Sequence, residues 1–345
     1  MKKSLILLSL AGTTAVAHAQ SSVSISGTVD LYAQRVNGSL TSRSLLSSGG
    51  NSSSKLFFRG TEDLGGGLSA GFWLEAGINA DTGLGVATNT NNQPSGATTA
   101  SGLAFNRRAI VFLKGAFGEL QLGRNWSPTY DAFTARFDVF GVGSGIGLNY
   151  TASINPNQVR VSNSVAYVTP RVFGLSSTIQ HWFGENASGS ATSKDGSGSG
   201  IKLNYDQGKF GAVAAYARTQ FAVGDAIYRD VAAIYDFGPV ILSANVNRDQ
   251  QGTLEQKGAL VGVRVPVGLH EFKASYSRFT TNAANSPTGE KYAVGFVYNL
   301  SKRTAAYTTL ARIRNSDGSA LAIAGSTTAP DRSSTGFDVG IRHNF

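Results

Sequence analysis

The last nine residues, Phe337 to Phe345, alternate side chains suited to oil with side chains suited to water and end on an aromatic residue. Phe337, Val339, Ile341 and Phe345 share one parity; Asp338, Gly340, Arg342 and Asn344 share the other. Successive side chains of a strand point to opposite faces, so this segment suits a boundary between lipid and water. A soluble domain rarely finishes on such a strand, because unanchored termini fray. The segment is expected to close a membrane barrel.

The same period of two recurs along the chain, in about sixteen segments near the 9–11 residues of a tilted membrane strand. In the first, Val23, Ile25, Val29 and Leu31 oppose Ser24, Ser26, Thr28 and Asp30. Further on, Leu68, Ala70, Phe72, Leu74, Ala76 and Ile78 oppose Ser69, Gly71, Trp73, Glu75, Gly77 and Asn79. Turn-forming residues reverse the chain briefly at 61–67, 115–118, 169–174, 206–209, 236–239, 266–270 and 299–302. Between these lie longer stretches rich in Ser, Thr, Asn and Gly, at 36–53, 80–104, 125–157, 184–198, 220–226, 249–255, 281–288 and 315–333.

Short turns on one side and long loops on the other are the pattern of an outer-membrane barrel. The expected fold is all-β, a transmembrane antiparallel β-barrel of sixteen strands with short periplasmic turns, long extracellular loops and an aqueous lumen. A soluble β-sandwich also alternates, but this many strands would need two cores and a linker, and no Pro/Ser linker divides the chain.

The amino terminus supports export. Met1-Lys-Lys is followed by a short apolar run and by Ala17-His-Ala19, which predicts a signal peptide at 1–19 and Gln20 as the mature first residue. Residues 20–345 then form one barrel domain. No apolar window approaches the roughly 20 residues of a membrane helix. Cysteine is absent, which rules out thiol chemistry and disulfide staples. The whole chain carries a formal +9; losing Lys2 and Lys3 with the signal leaves +7, an excess that favours anions without naming them.

Charge on the inward parity is the candidate functional signal. Lys55 and Arg59 share a face opposite Leu56 and Phe58, Arg160 opposes Val159 and Val161, and Glu75 faces the same interior. An Arg or Lys at mid-depth on the lipid side would cost about 2–4 kcal/mol. Arg107 and Arg108 precede a segment apolar on both faces, implying a subunit interface or an inserted loop; parity does not choose between the two arginines. The stretch 125–157 holds Trp126, Tyr130, Phe133, Phe137 and Phe140 among Pro128, Asp131, Arg136 and Asp138. So apolar a loop is expected to fold into the lumen, where Asp131 and Asp138 either oppose the basic wall or cap a turn. Arg342 faces the lumen near the periplasmic rim and is expected to be a wall residue outside the constriction, whereas His343 takes the lipid-side parity.

Several runs resemble the general diffusion porins of Gram-negative outer membranes, the anion-selective branch in particular. They are Phe58-Arg-Gly-Thr-Glu-Asp-Leu-Gly-Gly-Gly-Leu68, Phe72-Trp-Leu-Glu75, Phe117-Gly-Glu-Leu-Gln-Leu-Gly-Arg124, Tyr298-Asn-Leu-Ser-Lys-Arg-Thr304 and Val339-Gly-Ile-Arg-His-Asn-Phe345, together with the start at Gln20 to Asp30. The resemblance implies a homotrimer whose third extracellular loop makes the constriction. It implies Lys55, Arg107 and Arg160 as the basic wall, and Glu75, Asp131 and Asp138 as the acidic side. Lysine at position 55, where arginine is usual, keeps the charge but not the planar fork.

The function implied is passive diffusion of small hydrophilic solutes and ions through the outer membrane, with a preference for anions. Outer-membrane lipids and lipopolysaccharide are the expected surroundings. A substrate-specific channel would show saturable flux, and a barrel adhesin or receptor would show a plug or fewer strands. An outer-membrane enzyme finds little support: the mature histidines are His181, His270 and His343, and no nucleophile signature accompanies them. No cofactor or metal spacing stands out, calcium at a loop stays open, and scattered basic residues give no nucleic-acid footprint.

Overall fold

A computed structural model describes residues 22–99, 102–133, 136–141, 143, 145–147 and 159–345. The predicted signal peptide lies outside them. Strands β1 (Ser22–Asn37), β2 (Ser42–Ser48), β3 (Lys55–Gly65) and β4 (Leu68–Asn79) come first, followed by a short β5 (Leu84–Gly85). Next are β6 (Arg108–Gly115), β7 (Gly118–Trp126), helix α1 (Pro128–Phe133), β8 (Arg160–Val168) and β9 (Leu175–Trp182). Then follow β10 (Gly198–Gln207), β11 (Phe210–Thr219), β12 (Ala226–Asp236), β13 (Ile241–Gln251) and β14 (Leu254–Val267). The chain ends with β15 (His270–Thr281), β16 (Thr288–Asn299), β17 (Thr304–Ser316) and β18 (Ser334–Asn344).

Apart from β2, β3 and β5, neighbours in sequence pair antiparallel, and β18 returns to β1, so the wall formed by the described residues closes on itself. Strands β2 and β3 bond the same edge of β1, β2 opposite residues 31–37 and β3 opposite 22–28. They are two halves of one barrel strand, broken at 49–54. β5 pairs only with the end of β4 and stands off the wall. Sixteen strands therefore close the barrel, in agreement with the sequence reading.

The break at 49–54 is held by Asp30 on the inner wall. Its carboxylate accepts hydrogen bonds from the backbone N–H groups of Gly50 (3.1 Å), Asn51 (3.0 Å) and Ser52 (2.7 Å), and from the Tyr307 hydroxyl. Three successive amides converging on one carboxylate form an anion-binding nest, with the anion supplied by the protein itself.

The two faces invert the pattern of a soluble protein. Outward-pointing Val231, Val246, Val261, Val294, Leu310 and Val339 are each 51–55% exposed, whereas inward-pointing Asp230, Asn245, Ser277 and Asp338 are buried. An exposed apolar band with a polar interior has lipid as its natural surroundings.

Three expectations need correction. The stretch 36–53 contains β2, and the chain reverses at 38–41; the stretch 249–255 is mostly strand, with a turn at 252–253. Both polar segments continue the wall beyond the apolar band, where alternation of hydrophobicity is no longer needed and its signal fades. The closing strand, for which the first alternating segment Val23 to Leu31 is the expected partner, does pair with β1, but over residues 28–37, so the two share only 28–31; Phe345 meets Gly27 through reciprocal backbone bonds of 3.0 and 3.1 Å.

Candidate functional site

The third long loop leaves β7 and enters the lumen. Ser127 begins α1, its hydroxyl accepting the Tyr130 N–H at 3.2 Å, and Pro128 takes the first helical position, where no N–H is needed. The helix packs against β9 to β12, well around the wall from its origin. Phe137 then fills a cluster with Val213, Ala215, Ala232 and Ile234. Further along, a Cβ placed on Gly262 would lie 2.8 Å from Val139, and one on Gly295 2.8 Å from Phe140. Glycine at these wall positions lets the loop's side chains approach the backbone. Ile146 finally joins Val36, Ala293, Ala311, Ile313 and Ile323. The aromatic content that predicted an inserted loop thus lies against the inner wall.

Opposite the loop, four of the predicted site residues converge. Glu75, near the end of β4, and Arg107, just before β6, form an ion pair at 2.5 Å, with side chains 5% and 13% exposed. Arg160, the first residue of β8, donates from Nε to the Arg107 carbonyl at 3.1 Å and lies 5.8 Å from the centre of the Tyr130 ring of α1. Lys55, the first residue of β3, sits in the electrostatic field of Arg107, Glu75, Arg160 and Arg342. The positions fall together because each lies at the loop-proximal end of its strand or at the break in the wall.

Arg107 and Arg108 separate cleanly. Arg108 donates to Asn125 Oδ1 at 2.9 Å, and its guanidinium lies 4.5 Å from the Trp73 ring centre and 4.8 Å from that of Trp126. It is held in an aromatic clamp, leaving Arg107 to Glu75. The inner apolar face after Arg108 packs on the wall itself: a Cβ on Gly71 would lie 3.0 Å from a Phe112 ring carbon.

Of the two places expected for Asp138, opposing the basic wall or capping a turn, its hydrogen bond is of the second kind. The residue is 4% exposed, accepts the Phe140 N–H at 2.9 Å and lies in electrostatic contact with Lys291, 3% exposed on β16. Its carboxylate fastens the loop to the wall instead of facing open lumen. The backbone of Asp131 belongs to α1, but its side chain lies outside the described residues.

The sequence reading missed two members of this environment. Arg342 donates to Asn51 Oδ1 at 2.6 Å, on the segment held by Asp30, and its charge acts on Lys55 and on Lys273 of β15. It was expected outside the constriction; the broken strand brings Asn51 back to it. Arg124 sits at an irregularity in the β7–β8 ladder beside Gly123, whose φ is +122°. Such a bulge re-aims a side chain. The guanidinium donates to the carbonyls of Asn106 (2.6 Å) and Asn89 (2.8 Å) and to the Ser162 hydroxyl (2.6 Å), tying the second long loop to the wall. The Gly123-Arg124 pair was the available signal.

A closed sixteen-stranded barrel, apolar outside and charged within, with a loop laid along its interior, is a channel of the outer membrane. The sequence profile of Gram-negative porins matches residues 7–318, and the chain belongs to that family. It is 37% identical to outer membrane porin protein 32 of Delftia acidovorans, over the full length of both chains. It is 28% identical, again over both full lengths, to the major outer membrane protein P.IB of Neisseria meningitidis serogroup B. Among solved structures, an anion-selective porin from Comamonas acidovorans superposes with a TM-score of 0.82 at 34% identity, covering 94% of this chain and 100% of that one. The protein is thus a multi-pass β-barrel of the Gram-negative outer membrane, with the family and fold of a channel.

Proposed function

We propose that small hydrophilic solutes and ions diffuse passively through this pore, with anions favoured by a wall on which Lys55, Arg107, Arg160 and Arg342 gather about Glu75. The observation that carries the reading is the gathering of Lys55, Arg107, Arg160 and Arg342 on one stretch of the wall, where Glu75 pairs with Arg107, Arg160 binds the Arg107 carbonyl and Arg342 binds Asn51. A surplus of fixed positive charge at a narrow point raises the local anion concentration, while the absence of tight binding allows release. The anion selectivity of the Comamonas relative supports the same sign. The chain acts as a conduit and not as an enzyme, and its residues 1–19 direct export.

The same reading includes a homotrimer. The outward faces of β1, β4, β6 and β7 present Val23, Ile25, Val29, Phe72, Val111, Leu113, Leu120 and Leu122, an apolar stretch suited to subunit contact.

Reconstitution into a planar bilayer tests the pore. Stepwise conductance, together with liposome swelling that slows as neutral sugars grow larger, is the expected result. No conductance steps, or sugar flux that saturates at low concentration, would overturn general diffusion.

A further inference from the structure

The inner wall of β12 and β13 carries two buried carboxylates that no cationic side chain meets. Asp230 and Asp249 are each 1% exposed, and neither forms an ion pair among the described residues. The adjacent cations Arg229 and Arg248 take the opposite parity and lie exposed on the outer face, where Arg248 pairs with Glu255. Asp230 lies instead in the field of Asp249. Two like charges buried side by side without a counter-ion are strongly unfavourable.

The strand register brings further oxygens to the same place. Asp230 stands directly opposite Asn247, and diagonal to Asn245 and Asp249, the next inward residues of β13 on either side. Opposed residues of a ladder stand about 5 Å apart and diagonal ones about 7–8 Å, so four side chains can converge on one point. Both carboxylate oxygens of Asp230, Oδ1 of Asp249 and the amide oxygens of Asn245 and Asn247 are buried with no hydrogen-bond partner among the described residues. Asn247 turns its amide nitrogen to Asp249 Oδ2 at 3.3 Å, which frees its oxygen. Gly258, opposite Asn247, makes room for that oxygen, since a Cβ there would collide with it.

We propose that Asp230, Asp249, Asn245 and Asn247 form a binding site for one divalent cation of the calcium type, set in the barrel wall beneath the inserted loop. The donor set is oxygen alone, without nitrogen or sulfur, and its two carboxylates match a charge of two. Calcium accepts mixed carboxylate and amide oxygens in flexible geometry, whereas magnesium holds its water and demands a regular octahedron. Protonation would also remove the charge, but it supplies two donors for five unmet acceptors. Ala215, opposite Asp230, and Ala232, opposite Asn245, both pack on Phe137, so the ion would brace the wall on which the loop rests. The site is separate from the basic wall, and its failure would leave the channel reading intact.

Calorimetric titration of calcium chloride into the purified protein, freed of lipopolysaccharide and stripped of divalent ions with a chelator, tests the proposal. The wild-type chain should bind one Ca2+ about tenfold more tightly than Mg2+. The double variant Asp230→Asn, Asp249→Asn keeps the size of both side chains and should lose that binding while its conductance steps persist. In chelator its unfolding temperature should equal or exceed that of the wild type, and calcium should raise the wild-type value alone. Anomalous scattering from terbium-soaked crystals of the wild type should peak between Asp230 and Asp249, a readout that needs no variant. Absence of calcium binding by the wild type, a terbium peak only elsewhere, or undiminished binding by a conducting double variant overturns the proposal.

Discussion

Glu75 and Arg107 meet at 2.5 Å on the lumen wall, one near the end of a strand and the other in the approach to the next. Arg160 is bound in turn to the Arg107 carbonyl. One carboxylate thereby fixes the position of an arginine while cancelling part of the charge that the wall presents. Replacing Glu75 with Gln should raise anion preference, because the positive field loses its opposing charge. It should also destabilise the barrel by about 1–3 kcal/mol, since Arg107 loses a charged partner in a largely buried place. Reversal potentials and the temperature of unfolding on gels report the two effects separately.

Neutralising Lys55, Arg107 and Arg160 together should lower anion preference, and adding Arg342→Gln should lower it further. The effect should shrink from 0.1 M to 1 M salt, as the screening length falls from about 10 Å to about 3 Å. Bilayer recordings of the triple and quadruple variants at both salt concentrations check the order. Equal selectivity in the two variants would remove Arg342 from the site.

Asp138 gives a contrasting expectation. Asp138→Ala leaves Lys291 buried without its carboxylate and should cost about 3 kcal/mol of stability, by analogy with other broken buried pairs. Selectivity should change little, because the carboxylate does not face open lumen. Thermal unfolding and reversal potential, measured on the same preparation, distinguish the tether from a pore residue.

Asp30→Ala removes the acceptor of three successive amides at the break between β2 and β3. The segment carrying Asn51 should loosen and release Arg342. Hydrogen exchange at Gly50 to Ser52 should accelerate, and the open channel should become noisier, while the sixteen-stranded wall persists.

Much of this architecture is legible in the sequence because lipid imposes alternation on every residue it touches. The seven short turns, the sixteen wall strands and the inserted aromatic loop all follow from that rule and from turn chemistry. Where strands rise above the lipid, as in Ser42–Ser48 and near Gln251, alternation relaxes and the segments read as loops. The convergence of Lys55, Glu75 and Arg160 was legible as shared inward parity, and that of Arg107 only through family likeness. The place of Arg342 beside Asn51 and that of Asp138 beside Lys291 were not, for a common reason. Parity states which way a side chain points but says nothing of what the broken strand or the loop brings against it.

The proposed anion preference rests on the net positive fixed charge of the constriction. The zero-current potential of a single reconstituted channel separating unequal concentrations of potassium chloride measures this most directly. A potential with the sign of chloride permeation, reduced in the Lys55, Arg107 and Arg160 variant, is the predicted result. A potential with the sign of potassium permeation would contradict it.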